Sequence, residues 1–431
     1  MSKQLKEFFK WSLIWAAVVL ASGPGCLKPR GADSGAKVVA TWELGTPIVT
    51  YWAGPPLTDA VAQQMAEGGW NLVWCTNEQQ LDIAQRHGLR AQFQHGLLSS
   101  SVDQPAQREQ LAALVARVRT HPALYNYFIQ DEPSAADFPA LGRSVAYLRE
   151  LDPQHKAYIN LFPTYASNKQ LGTTGDTLAA YQEHLRQFIA VVKPSLLSYD
   201  HYQFRVAGDT GQYFLNLALL RESAQQACLP FLNIVQACSW DPAMRVPTGN
   251  ELRYLVYTTL AYGAQGISYY VYCWPKHVGG IALPDGTPTP LYHALKTLNR
   301  EFVAIATECQ PLRSSGVYIA GTLAPGTTPL PPDAPFHFDP PVPSTPGENL
   351  KPVQGLLLGC FGPADKGGAP TYVLVVNLDY KTEVVTTLVG PGNLDVFDAT
   401  SKRWTRGKLR QVELHLPAGG GKLVRIHGAS L

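Results

Sequence analysis

Eight short apolar runs, each followed by a longer stretch of different periodicity, constrain this chain more than any other feature. They are Pro47–Trp52, Asn71–Thr76, Arg90–Gln94, Leu124–Gln130, Lys156–Phe162, Ser195–Asp200, Pro230–Ala237 and Gly266–Trp274. Continuous apolar runs of this length suit parallel strands buried on both faces. Between them lie amphipathic segments, with helices expected over Thr58–Gly69, Pro105–Pro122, Asp137–Pro153, Thr177–Pro194, Tyr213–Cys228 and Asn250–Gly266, and another after the eighth run over Pro290–Cys309. Thr58 is placed to cap the first of these, and Gly68–Gly69 to stop it. Eight strand-then-helix units predict a (β/α)8 TIM barrel over residues 45–310. An open doubly wound sheet fits less well, because no glycine-rich phosphate loop follows the first run.

Beyond residue 310 the texture changes. Residues 321–349 are rich in Pro and Gly and carry no helix or strand pattern. Short alternating runs follow, among them "TYVLVVNLD", "TEVVTTLV" and "QVELHL". Turn signals at short intervals without helices predict a small antiparallel β-sandwich over 311–431.

The N-terminus reads as a targeting segment. Lys3, Lys6 and Lys10 precede the apolar run Trp11–Ser22, and small residues lead to Cys26. A cysteine there resembles the lipidated residue of a bacterial lipoprotein signal, although Gly23 stands where such signals carry Leu. Residues 1–26 are therefore expected to be a signal, with Cys26 a candidate lipid anchor, and 27–44 a polar linker. Export to the periplasm, the outer membrane or the medium follows. Basic and acidic residues number 35 and 33, and no Lys/Arg run suggests a nucleic-acid partner. The remaining cysteines are scattered without metal-ligand spacing, so no metal or cofactor is expected, and Cys75, Cys238 and Cys273 read as buried thiols.

In such a barrel the functional groups sit where strands end. The fourth run ends in Asp131–Glu132–Pro133, in a chain only 16% charged. A carboxyl at the mouth of an apolar strand, beside a second acid, has its pKa raised and can serve as a general acid near neutral pH. Side chains alternate along a strand, so one of the pair should face the barrel axis. Glu132 is the expected acid, with Asp131 binding substrate or partnering a cation. The other ends supply Asn160, then Asp200, His201 and Tyr202, then Gln236 and Trp240, then Trp274, with Trp52 at the first. Acids, amides and aromatic faces on one rim are what a sugar site needs.

"YFIQDEP" resembles the "NEP" signature of clan A glycoside hydrolases, whose acid/base follows the fourth strand; the resemblance assigns that role to Glu132. "DHY" at 200–202 resembles the His/Tyr pair that supports the nucleophile there, and "LAYGAQGISYYVY" with the trailing strands resembles the β-galactosidase-like family 42 branch. That clan's nucleophile is a Glu ending the seventh strand, where this chain has Gln236. An amide cannot be that nucleophile. Either Asp200 or a loop acid such as Asp241 is the second carboxylate of an exported glycoside hydrolase, or the barrel binds carbohydrate without cutting it. No HxH or His/carboxylate spacing points to metal-assisted hydrolysis.

Overall fold

A computed structural model describes residues 47–99, 101–348, 350–363 and 369–428, all within one compact unit. The signal, the linker and Cys26 lie outside the described residues. The eight runs form eight parallel strands: β1 Ile48–Trp52, β2 Leu72–Cys75, β3 Arg90–Gln94, β4 Leu124–Asp131, β5 Lys156–Leu161, β6 Leu197–His201, β7 Phe231–Gln236 and β8 Gly266–Tyr270. From β2 to β8 each strand pairs with its sequence neighbours, and β8 pairs with β1 from Ile48↔Gly266 to Trp52↔Tyr270. Between β1 and β2 the ladder reduces to a few bonds: Asn71 N–H to the Val49 carbonyl (3.0 Å) and the Thr50 hydroxyl to the Leu72 carbonyl (2.9 Å). These bring the sheet to near closure as a TIM-like barrel.

The seven expected helices are present, with ends shifted by a few residues. Two more are present: Glu78–Arg86 joins β2 to β3, and the one-turn Asn168–Leu171 follows β5. The first, "EQQLDIAQR", is short and largely polar, buries Leu81, Ile83 and Ala84, and is capped by the Asn77 side chain, which accepts from Gln80 N–H (3.0 Å). Inside the barrel, Ile48, Leu72, Phe128, Tyr158, Leu232 and Ile234 make an apolar plug.

The C-terminal strands build two sheets. A seven-stranded one runs in the order 345–346, 313–323, 355–362, 372–377, 421–426, 394–398, 403–405, antiparallel except at its 345–346 edge; a three-stranded antiparallel one joins 337–339, 384–389 and 411–416. Residues from both share one buried cluster, including Phe338 and Leu414 from the small sheet and Leu358 and Val375 from the large one. Two parts of this region depart from expectation. The loop 321–349 contributes strand residues His337–Asp339, and an 11-residue strand, Arg313–Leu323, follows the last helix directly. Its "RSSG" opening hides a strand behind turn-like composition. The main apolar core runs without a break from barrel residues such as Tyr257 and Ala261 to Phe361, Leu374 and Leu423 of the large sheet.

Candidate active site

Three carboxyl groups converge where β4, β5 and β6 end. The Asn160 amide nitrogen donates to Asp131 (Oδ1, 3.0 Å) and to Asp200 (Oδ1, 3.2 Å), bridging the two acids. Its orientation is set from below: the Tyr158 hydroxyl pairs with Ser198 Oγ (2.8 Å), and Ser198 donates to Asn160 Oδ1 (3.1 Å). With its oxygen engaged on that side, Asn160 presents its nitrogen to the carboxylates. Glu132 lies close enough to Asp200 for their titrations to couple, and the Tyr202 side chain favours the ionised form of Asp200.

Glu132 reaches this cluster because of its backbone. Strand β4 slips register between Phe128 and Gln130, and Glu132 lies in the left-handed region at φ 45°. Its N–H still bonds the Asn160 carbonyl (2.9 Å). The bulge and the left-handed turn break the alternation that a regular strand imposes. Asp131 and Glu132 therefore both act on Asp200, instead of one pointing in and one out. Strain of this kind in a non-glycine residue tends to occur at functional positions.

Burial and mutual repulsion govern the charge here. Glu132 is held well above the ordinary carboxylate range, first by desolvation and then by Asp200 and Asp131. Asp200, 4% exposed, is raised by desolvation and by Asp131, against the opposing pull of Asn160 and Tyr202. Asp131 opens to solvent yet is hemmed in by protein, and this crowding raises it too. The cluster keeps a proton at neutral pH, and that proton belongs to the pair Glu132–Asp200 rather than to either group.

Aromatic rings surround the acids. Trp52 meets Trp74 and Phe128 edge-on at 5.2 and 5.5 Å, beside Tyr158. On the other side Trp240 packs against Tyr202 (4.9 Å) and Tyr270 (5.0 Å), and the Tyr270 hydroxyl meets His277 Nε2 (3.1 Å). Trp240 is 36% exposed. Trp274 is more exposed still and makes none of these ring contacts. Tyr165, just beyond the end of β5 and outside the set expected to bind a ligand, meets His201 edge-on (5.0 Å) and feels the charge of Asp200 and Glu132. Tyr270 was missed as well; its place two residues after Ser268, on the inward face of β8, was the available signal.

Two expected ligand-binding residues lie behind the site. His201 is fully buried, with Nδ1 against Asn216 Oδ1 (3.0 Å) and Nε2 toward Thr210 Oγ1 (3.4 Å), and burial pushes its pKa down to about 4, so it is neutral. Gln236 is fully buried too. Its oxygen accepts from Phe204 N–H (2.9 Å) and its nitrogen donates to the carbonyls of Arg245 (2.8 Å), Phe204 (3.1 Å) and Cys238 (3.3 Å). No polar atom of Gln236 is exposed to a ligand; the side chain staples two loops over the end of β7. Asp241 is exposed and caps its own loop by accepting from Ala243 N–H (2.7 Å). Among the described residues, no group of three or more His, Cys, Asp or Glu is arranged to hold a metal ion.

No family model matches this chain, and no curated protein matches it in sequence. Solved structures do resemble it. A β-galactosidase from the psychrophilic Marinomonas ef1 aligns over 64% of this chain at 11% identity with a TM-score of 0.47. This chain covers 62% of that protein, under two thirds of its length. A glycoside hydrolase family 5 structure from Bacteroides vulgatus ATCC 8482 aligns over 87% of each chain, at 12% identity and a TM-score of 0.49. A glucosidase from Croceicoccus marinus aligns over 90% of this chain and 97% of its own, at 11% identity and 0.45. All of these likenesses fall below a TM-score of 0.5. The functional reading is built on the side chains.

Proposed function

We propose that this chain is an exported glycoside hydrolase acting on an oligo- or polysaccharide, with Glu132 as general acid. The supporting observation is a single one: Glu132 and Asp200, both raised by burial and by neighbouring carboxylates, share a proton at neutral pH at a barrel mouth that also carries Trp52, Tyr202 and Trp240. A carboxylic acid protonated at working pH can deliver that proton to a leaving glycosidic oxygen. Asp200 or Asp131 then supplies the second carboxylate, and the rings offer faces to the apolar sides of a pyranose. On this reading, a sugar entering the mouth takes up the shared proton.

A second reading is non-catalytic carbohydrate binding. It is favoured by the seventh strand, whose Gln236 supplies no acid and whose amide is fully engaged in holding loops. Hydrolysis of a panel of aryl glycosides and polysaccharides by the parent and by Glu132→Gln separates the two. The proposal expects product from the parent and a loss of at least about a hundredfold in the variant, the scale of a missing general acid. Binding without product in both proteins would overturn hydrolysis and leave the second reading.

A further inference from the structure

Away from the barrel mouth, a cavity of about 690 Å³ opens between the helix Tyr213–Ala227 and the large C-terminal sheet. Its walls include Arg221 from the helix, Arg313, Ser315 and Tyr318 from the strand Arg313–Leu323, and Asp333 and Phe336 from the loop beyond. That volume lies within the range of small-molecule sites.

The Arg221 guanidinium dominates its chemistry. Nε donates to Ser314 Oγ (2.8 Å) and Nη2 to the Ser314 carbonyl (3.0 Å). Those bonds occupy one edge of the fork. Among the described residues, the other edge, Nη1 with the second hydrogen of Nη2, meets no hydrogen-bond acceptor, and Arg221 forms no ion pair. A partly buried arginine is ordinarily paired with an acid, because desolvating its charge is costly. Here burial outweighs the opposing influence of Tyr262, Tyr318 and Glu222 and holds its pKa below the usual value. Arg313, exposed on the same wall, adds a second cation, and among the described residues it too has no acid partner. The strand opposite is built irregularly: its ladder slips between Ser314 and Gly316, so Ser315 drops out of the pairing and turns to the cavity. Bulges re-aim side chains in this way beside functional sites. At Gly316 a Cβ would come within 2.5 Å of the Tyr318 hydroxyl, so the glycine makes room for that ring.

We infer that this cavity is a second ligand site, which takes a carboxylate-bearing sugar. The carboxylate takes the open edge of Arg221 end-on, with Arg313 beside it. The fork geometry suits a planar carboxylate bidentately. Hydroxyls of the same ring find Ser315, Tyr318 and Asp333, and Leu330 and Pro331 meet its apolar side. None of these residues belongs to the barrel mouth, so the site stands or falls independently of the proposed hydrolysis.

Glucuronate is the probe, with glucose as its neutral counterpart, and binding is read by calorimetry and by ligand-observed NMR. The inference expects glucuronate to bind and glucose to bind at least tenfold more weakly. Arg221→Lys keeps the charge and loses the fork, and should weaken glucuronate at least tenfold. Arg313→Gln, an exposed change that leaves the Arg221–Ser314 bonds intact, should weaken it several-fold while the circular dichroism stays that of the parent. No glucuronate binding at millimolar concentration overturns the inference. So does equal binding of the two sugars, or glucuronate binding that both variants leave unchanged.

Discussion

At the scale of single residues, the pairing of Glu132 with Asp200 has a consequence for stability that needs no substrate. Both groups hold a proton more tightly folded than unfolded, Glu132 up to about 9 from 4.5. Where the folded chain binds more protons than the unfolded one, stability falls as pH rises. The contribution of Glu132 is therefore complete below pH 4.5 and is lost as pH climbs through neutral toward 9; Asp200 behaves alike from 3.8 upward. Urea unfolding at intervals from pH 5 to 8 should show this decline, and Glu132→Gln, which cannot titrate, should flatten it. A parent profile that rises over that interval, or a variant with the parent's slope, would contradict the shared proton. None of this was fully legible in the chain. The adjacent acids at a strand mouth were visible, and so was the desolvation that raises them. Their convergence was not, because it depends on a register slip inside β4 and on the φ of 45° at Glu132. Strand alternation is a rule about regular backbone, and this backbone is irregular where the chemistry is placed.

At the scale of elements, buried parallel strands announce themselves, since both faces must be apolar, and all eight appear within a few residues of where the pattern puts them. What the pattern does not carry is the destination of a polar side chain at a strand end. Gln236 stands on the inward side of β7, where a nucleophile was expected, yet its amide is spent on the backbone of Phe204, Cys238 and Arg245. Composition cannot distinguish a glutamine that faces a ligand from one that faces carbonyls. The distinction is testable with Gln236→Glu. A carboxylate there would keep the Phe204 N–H as a donor but face three carbonyl oxygens with no hydrogen to offer. Losing buried donors and burying a charge against acceptors should cost about 3 kcal/mol or more. The expected result is a lower urea midpoint without any gain of glycosidase activity. A variant as stable as the parent, with raised turnover, would mean that the side chain swings free and that the position can carry a nucleophile.

At the scale of the whole molecule, the question is whether the barrel and the C-terminal sheets are separable. The composition shift at residue 310 suggested two domains, and side-chain contacts argue that they act as one. Gly359 of the large sheet sits so close to the helix Gly249–Ala261 that a Cβ would come within 2.3 Å of the Ala261 carbonyl oxygen. Around it Phe361, Leu374 and Leu423 join Tyr257 and Ala261 in one continuous core. Polar ties repeat the link. Arg253 donates to the Ala418 carbonyl (3.0 Å), Trp404 to Glu308 (3.1 Å) and the Tyr380 hydroxyl to Asp209 (2.9 Å), and Arg245 in turn pairs with Asp209 and Glu251. Asp209 lies in the hairpin beside Phe204, whose backbone Gln236 holds, so the C-terminal sheets reach the loops over the barrel's own rim. A core shared in this way melts cooperatively. Calorimetry should show a single transition whose calorimetric and van't Hoff enthalpies agree. Gly359→Ala, forced against backbone that cannot yield locally, should lower that one transition by about 1–3 kcal/mol of stability without splitting it. Two resolved transitions in the parent, or a variant that shifts only one of a pair, would show that the C-terminal sheets are a module of their own and that the barrel mouth does not depend on them.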